Sequence, residues 1–519
     1  MAGHAISPAA PGWGATRDTF ESVNPATGEV LATFTVDGQR EAAAAVRRAR
    51  EAAAWWGGLG WDDRKLRLLA WKSHITRYIG RLARQVQDET GKPVDDATLE
   101  IANTILHLDW AARHARPVLK SRRVPSGLLM FNQSAMLEYQ PLGVVGVIGP
   151  WNYPVFTPMG SIGYALAAGN AVVFKPSELT TGTGQWLVQS FTEVLSEVFG
   201  ETEPVLQLVT GLGATGAELA RSGVDKIAFT GSAATARKVL AAAAETLTPV
   251  LAECGGKDAL LVAADADLDA AADAAAWGAM SNAGQTCVGV ERVYVAEAVY
   301  HPFLEKLTEK IGKLRPGEDE GASYGPMTLP GQVDVVERHL ADAVARGGRA
   351  VYGGLDSVRA PYVDPVVLVD VPEESAAVRE ETFGPVVTVT PVPSLADAVR
   401  LANASPYALG SAVFTRGRRA GLRAARALRA GMTSVNSVIA FAAVPALPFG
   451  GSGESGFGRI HGADGLREFS RAKAITRQRM RPVVATTTFR RDARDMDRIV
   501  KLVTMLHGRL YQPRRRGRR

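Results

Sequence analysis

The chain has 519 residues, 46% hydrophobic and 22% charged, too long for one compact core, so two or three soluble domains are expected. Its net charge is +6, but five of the seven residues 513–519 are arginines; the body is nearly neutral, and no nucleic-acid partner is expected. Two cysteines, Cys254 and Cys287, exclude a disulfide framework or a zinc site and fit a reducing, cytoplasmic setting.

Residues 1–17 are rich in Gly, Ala and Pro and are expected to be disordered; they lack the basic and then apolar pattern of a secretory leader. No run of about 18 apolar residues suggests a spanning helix. Asn24-Pro25-Ala26-Thr27-Gly28-Glu29 reads as a turn between two short strands. Residues 41–56 and 62–90 carry a helical apolar period. Beyond them the period changes. Short apolar runs at 143–148, 171–174, 205–209 and 226–229 alternate with helical stretches such as 159–168, 181–199 and 234–246. That alternation predicts βαβ units around a parallel sheet. Ligands of such sheets bind at the carboxyl ends of the strands. A second series, at 259–263, 292–295, 366–368 and 386–390, predicts a second α/β domain.

The residues following these strands carry the chemistry. Cys287 ends the polar turn Asn282-Ala283-Gly284-Gln285-Thr286-Cys287. A lone Cys is more often an inert core residue, but a turn can present its thiol to a cleft. Glu253 precedes Cys254-Gly255-Gly256 and is a candidate base for activating water against a thioester. Asn152, in Gly149-Pro150-Trp151-Asn152-Tyr153-Pro154, could cap its turn or donate to an oxyanion. Phe229-Thr230-Gly231-Ser232 leads from a strand into a helix, a setting that suits phosphate. Gly211-Leu212-Gly213-Ala214-Thr215-Gly216 matches G-x-G-x-x-G, a weak signal in so Gly-rich a chain.

In this order, with Lys175-Pro176-Ser177-Glu178, Glu381-Thr382-Phe383-Gly384-Pro385 and Pro448-Phe449-Gly450-Gly451, the blocks resemble the aldehyde dehydrogenase superfamily from about Val23 to Ile475. The resemblance implies an α/β fold of two Rossmann-like domains plus a small β oligomerisation arm. The cofactor-binding domain would span 18–120 and 143–253, and the catalytic domain 254–445. The arm would use 121–142 and 470–485, and 486–519 would be a basic amphipathic extension. The implied activity is NAD(P)-dependent oxidation of a small-molecule aldehyde to an acid. Cys287 is then the nucleophile, Asn152 the oxyanion donor and Glu253 the base that hydrolyses the thioester. Glu253 argues against acyl transfer to coenzyme A, and the intact trio against a catalytically silent homologue.

The resemblance assigns cofactor contacts to Trp151, Lys175, Ser177, Glu178, Gly231, Ser232, Cys254, Glu381 and Phe383. It puts Gly211 and Gly213 on the adenine side and Phe449 at the substrate. Glu178 favours NAD over NADP, because a carboxylate accepts from ribose hydroxyls and repels a 2′-phosphate. No metal is implied. Cys254 replaces a common Leu; its thiol is expected to pack inward, and an inactivating disulfide with Cys287 is the competing reading. Ser161 and Ile460-His461 stand where many members have Lys and Glu-Leu. Both features, with Leu447-Pro448-Phe449, resemble the class acting on medium- and long-chain or aromatic aldehydes. Residues around Cys287 look more like semialdehyde dehydrogenases, and both substrate classes stay open. A homodimer or homotetramer is implied.

In the extension, Met496, Ile499, Val500, Val503, Leu506 and Leu510 share a helical stripe, with Arg498, Lys501, His507 and Arg509 mainly off it. Packing on the protein body or on a subunit is one reading. Reversible attachment to an anionic membrane surface is the other.

Overall fold

The computed structural model describes residues 18–482, 487–490 and 492–508. The arm at 1–17, Leu510 and the arginine tail lie outside the described residues. Two compact units emerge: one runs to Leu119 and resumes over Gln140–Arg471, and the other joins Lys120–Tyr139 to the chain from Ala472.

The first unit is mixed α/β with two large sheets and three two-stranded ones. One sheet runs Gly456–Phe457, Val250–Glu253, Lys226–Thr230, Val144–Ile148, Ala171–Lys175, Leu206–Leu208. Its strands are parallel except Gly456–Phe457, which adds antiparallel to Val250–Glu253. Val144–Ile148 and Ala171–Lys175 are buried throughout, which is why they read as unbroken apolar runs rather than alternating ones. The second sheet runs Arg349–Tyr352, Val366–Val369, Val386–Val392, Val290–Ala296, Asp258–Val262, Ser411–Phe414, Ser434–Val435. Arg349–Tyr352 is its one antiparallel strand among the described residues. Helices Leu268–Met280, Tyr300–Ile311 and Gln332–Ala345 cover it with a core that includes Ala275, Phe303, Leu307 and Leu340.

The helical period over 62–90 resolves into two helices, Trp61–Arg77 and Ile79–Thr90, broken at Tyr78. The break aims the second helix so that Glu89, at its end, accepts hydrogen bonds from the backbone N–H groups of Gly182 and Thr183, both at 2.8 Å. Sequence period cannot show such a break, because both halves keep an apolar face. Asn24 does close the turn between strands Thr19–Val23 and Val30–Thr35, accepting from Ala26 N at 2.9 Å.

The second unit holds a three-stranded sheet, Ser470–Gln478, Gln133–Pro141, Arg122–Val124, and the helix Ala493–His507. Among the described residues no helix is long and apolar enough to cross a membrane.

Candidate functional site

Cys287 is delivered by a turn of unusual backbone. Asn282, Ala283 and Gly284 take positive φ in succession, at 52°, 56° and 71°. For a residue other than Gly this costs roughly 1–2 kcal/mol. Side chains hold the turn in place. Asn282 Nδ2 donates to Gln285 O at 3.1 Å and to Asn152 O at 3.3 Å. Gln285 Nε2 donates to Asn282 O and Pro326 O, and its Oε1 accepts from Thr328 N at 2.8 Å. Behind the nucleophile, the Gly256 Cα faces the Cys287 carbonyl so closely that a Cβ would collide with it. This is where glycine is required.

The turn 151–156 is fixed from beneath. Buried Lys92 pairs with buried Glu100 at 2.8 Å and donates to Asn152 O at 2.6 Å. Glu100 Oε1 accepts from Val155 N and Phe156 N at 2.7 and 3.0 Å. The two ions thus spend their hydrogen bonds on the backbone that presents Asn152. Asn152 Nδ2 gives one hydrogen to Gln285 O at 2.9 Å. Its second hydrogen is free for an oxyanion. Tyr153 OH meets Thr286 Oγ1 at 2.9 Å, a second bond from this turn to that of Cys287.

Glu253 ends the strand Val250–Glu253. It is buried, and its Oε1 has no hydrogen-bond partner. Burial pushes its carboxyl well above the usual carboxylate range, opposed by the Arg459 charge. Burial also raises the Cys287 thiol, helped by the charges of Glu253, Glu381 and Asp258. Those three carboxyl groups therefore lie within electrostatic reach of the sulfur. Both cysteines are free. The Cys254 thiol is buried, packs towards Gly456 and is pushed up to about 12 by burial and then by Glu253.

Trp151 and Phe383 meet edge to face at 5.6 Å between ring centroids. Phe383 and Thr382 are held by Glu291, which accepts from both backbone N–H groups. Glu291 in turn pairs with buried Lys257. The same loop brings Glu381 to Gly256 N at 2.9 Å. Burial, then repulsion from Glu291, pushes Glu381 up to about 8. Phe449 is buried and precedes Gly450, where a Cβ would sit 2.8 Å from Glu253 Oε1.

The remaining sequence candidates lie along the carboxyl end of the six-stranded sheet. Lys175 reaches Glu178 at 3.6 Å and donates to Pro176 O at 3.0 Å, which leaves ammonium donors for ribose. Ser177 accepts from Leu179 N. Ser232 caps the helix Ala233–Ala244, accepting from Thr235 N at 3.2 Å, directly after Gly231. Gly211 and Gly213 follow Leu206–Leu208, three strand positions from Lys226–Thr230, or roughly 14 Å at ordinary strand spacing. The G-x-G-x-x-G pattern and the Gly231-Ser232 turn are thus separate places on the sheet edge. A carboxylate and an ammonium at one strand end, a helix N-terminus at another and an aromatic edge near Cys287 fit the parts of an extended dinucleotide. Sequence reading missed Lys92, Glu100, Asn282, Gln285, Lys257 and Glu291, whose partners are mostly remote in sequence.

The chain is similar to known proteins over most of its length. The model of the aldehyde dehydrogenase family matches residues 13–475. The 4,4'-diapolycopene aldehyde oxidase of Methylomonas sp is 38% identical over 87% of the chain and 84% of that protein. The glutarate-semialdehyde dehydrogenase of Pseudomonas putida is 34% identical over 88% of the chain and 94% of that protein. Among solved structures, PnpE from Pseudomonas sp. WBC-3, also solved in complex with nicotinamide adenine dinucleotide, superposes with a TM-score of 0.84. It is 31% identical, over 90% of the chain and 96% of PnpE.

Proposed function

The chain belongs to the aldehyde dehydrogenase family, and on that premise we propose that Cys287, Glu253 and Asn152 carry its reaction. The reaction oxidises an aldehyde to a carboxylic acid with NAD or NADP as the oxidant. The observation that carries the assignment is the Asn152 amide bonded to the turn of Cys287, and the buried Glu253 carboxyl, whose Oε1 has no partner, supports it.

The Cys287 thiol gives its proton to water, and the sulfur attacks the aldehyde carbon, forming a carbon–sulfur bond and an oxyanion. The free hydrogen of the Asn152 amide donates to that oxygen. A dinucleotide held by the residues named below would supply the acceptor for the hydride of that carbon. Glu253 then takes a proton from water, whose oxygen attacks the resulting thioester, and Cys287 leaves as the acid departs. Lys175, Ser177, Glu178, Gly231 and Ser232 would hold the adenosine and phosphates, Gly211 and Gly213 the adenine side. Trp151, Cys254, Glu381 and Phe383 would hold the nicotinamide end. In domain terms, 18–120 with 143–253 binds cofactor and 254–445 carries the nucleophile.

Glu178 sets the cofactor preference in this reading. Glu178→Ala removes a like charge from the 2′-phosphate position. The ratio of kcat/KM with NADP to that with NAD is expected to rise about tenfold. Steady-state rates with both cofactors check it, and an unchanged ratio removes Glu178 from that role.

We also propose a homodimer or homotetramer, built through the three-stranded arm with exposed Leu128, Leu129 and Phe131. The two free thiols support a cytoplasmic setting. The helix Ala493–His507 supports attachment to an anionic membrane surface. None of its residues is buried, and Met496, Val500, Val503 and Leu506 stay exposed on it. Residues 490–519 hold eleven Lys and Arg against three Asp, a net +8, so the preceding 489 residues carry −2. Charge is therefore concentrated where the apolar face has no cover. The full-length protein should pellet with vesicles containing anionic lipid and not with neutral ones, and deletion of 487–519 should abolish pelleting. Unchanged pelleting after the deletion, or a change only in oligomeric state, would assign the helix to a protein interface.

A further inference from the structure

We propose that Lys92, Glu100 and Asn282 form one positioning unit, which aims the Asn152 amide and leaves one of its hydrogens open to the oxyanion. This rests on the reading of Asn152 as oxyanion donor and names what orients that donor.

Donors and acceptors around Asn152 pair off until one hydrogen remains. The Asn152 carbonyl accepts from Lys92 Nζ at 2.6 Å and from Asn282 Nδ2 at 3.3 Å, so both its lone pairs are taken. The other hydrogen of Asn282 Nδ2 goes to Gln285 O at 3.1 Å. Gln285 O also accepts one hydrogen of Asn152 Nδ2 at 2.9 Å, and it too is then full. Turning the Asn152 amide over would set Oδ1 against that carbonyl, acceptor against acceptor. The amide therefore has one permitted orientation, in which the second hydrogen of Nδ2 is left over.

The unit is closed on its other sides. Of the three ammonium hydrogens of Lys92, one meets Glu100 Oε2 at 2.8 Å, one meets Asn152 O, and the third has the face of Tyr153, with Nζ 4.3 Å from the ring centroid. Glu100 Oε1 holds Val155 N and Phe156 N. The segment of Lys92 is tied back to the turn of Cys287: Thr328 Oγ1 donates to Thr90 O at 2.7 Å, and Thr328 N donates to Gln285 Oε1 at 2.8 Å. Bonds thus run from Lys92 through Asn152, Gln285 and Thr328 back to Thr90. Lys92, Glu100, Asn152 and Asn282 are all buried. Neutral, well-packed side chains often replace a buried ion pair with no loss of stability. The fold alone therefore does not call for Lys92 and Glu100, whose remaining bonds all end on the turn 151–156. An error of about 1 Å in placing a catalytic group costs about 10²-fold in rate.

The test compares two reactions of Cys287 in the full-length protein. Acylation by p-nitrophenyl acetate forms a carbon–sulfur bond through an oxyanion and releases p-nitrophenolate, the thiol proton passing to water. Alkylation by iodoacetamide uses the same sulfur and forms no oxyanion. Asn152→Ala should slow acylation about 10²-fold. Lys92→Met combined with Glu100→Gln leaves no unpaired charge, and it should slow acylation about 10–10²-fold while alkylation stays within about twofold of wild type. Added to Asn152→Ala, the same pair should slow acylation no further. Where the pair variant does not fold, Asn282→Gly, suited to the left-handed backbone at φ 52°, is put through the same cycle with the same expected result. An equal fall with and without Asn152, or unchanged acylation, overturns the proposal. A parallel loss of alkylation in the pair variant also overturns it, by placing the pair behind the nucleophile. Wild-type acylation by Asn152→Ala instead overturns the reading of Asn152 on which the proposal rests.

Discussion

Cys287→Ala protein will bind NAD but form no acid, with kcat lower by at least about 10⁴-fold. The size of the loss follows from what the sulfur does. It makes the bond that turns a planar carbonyl into a carbon able to release hydride, and the described residues around it offer no substitute. Cys254 is the other thiol, and it is buried, packed towards Gly456 and held protonated. Cys287→Ser should be nearly as poor, since a hydroxyl ionises even less readily than the thiol it replaces. The turn is held by Asn282 and Gln285 rather than by the cysteine side chain. Both variants should therefore keep the wild-type melting temperature within a few degrees and wild-type NAD affinity. Retention of more than about a tenth of kcat by Cys287→Ala would remove it as nucleophile.

Glu253→Gln will separate the two halves of the reaction. Hydride transfer precedes the step in which water needs a base, so the variant should release about one equivalent of NADH per site and then stall. Steady-state kcat should fall about 10²–10⁴-fold. Rapid mixing followed by absorbance of the reduced cofactor reads both phases. Mass spectrometry of the stalled protein should find the acyl group on the peptide containing Cys287. Loss of the burst together with the steady state would instead place Glu253 in the first half, as the base for the thiol. The pH dependence has a definite sign. Burial raises the Glu253 carboxyl, so its base form is lost as pH falls through that raised value. Wild-type kcat should therefore climb from acid to alkaline pH over a range well above that of an ordinary Glu. The residual rate of Glu253→Gln should lack this limb.

Much of the site was legible because its groups fall at strand ends. The runs 143–148 and 226–229 marked the sheet, and the residues just beyond them, Trp151-Asn152 and Gly231-Ser232, occupy its carboxyl edge. Cys287 became a candidate only through the order of the blocks around it, since a polar turn alone leaves an inert thiol the better reading. The supporting ions were not. Lys92 and Glu100 read as surface charges until their burial beneath the turn 151–156, some fifty to sixty residues on, is known. Glu291 reads as a polar residue in an apolar strand, and its bonds run to a loop ninety residues away.

What the sequence determined by itself was the order of elements and the parallel character of the sheets, since period is local; the candidate reacting groups came from the order of the motif blocks and the family they resemble. Tertiary structure alone decided three things. It set three successive left-handed residues beneath Cys287, at a cost that only remote hydrogen bonds offset. It raised the Glu253 carboxyl, because desolvation depends on everything packed around it. And it placed the two ends of the apolar run 438–449 beside Val288 and beside the Gly450 that faces Glu253, residues far from it in sequence or fixed only by folding.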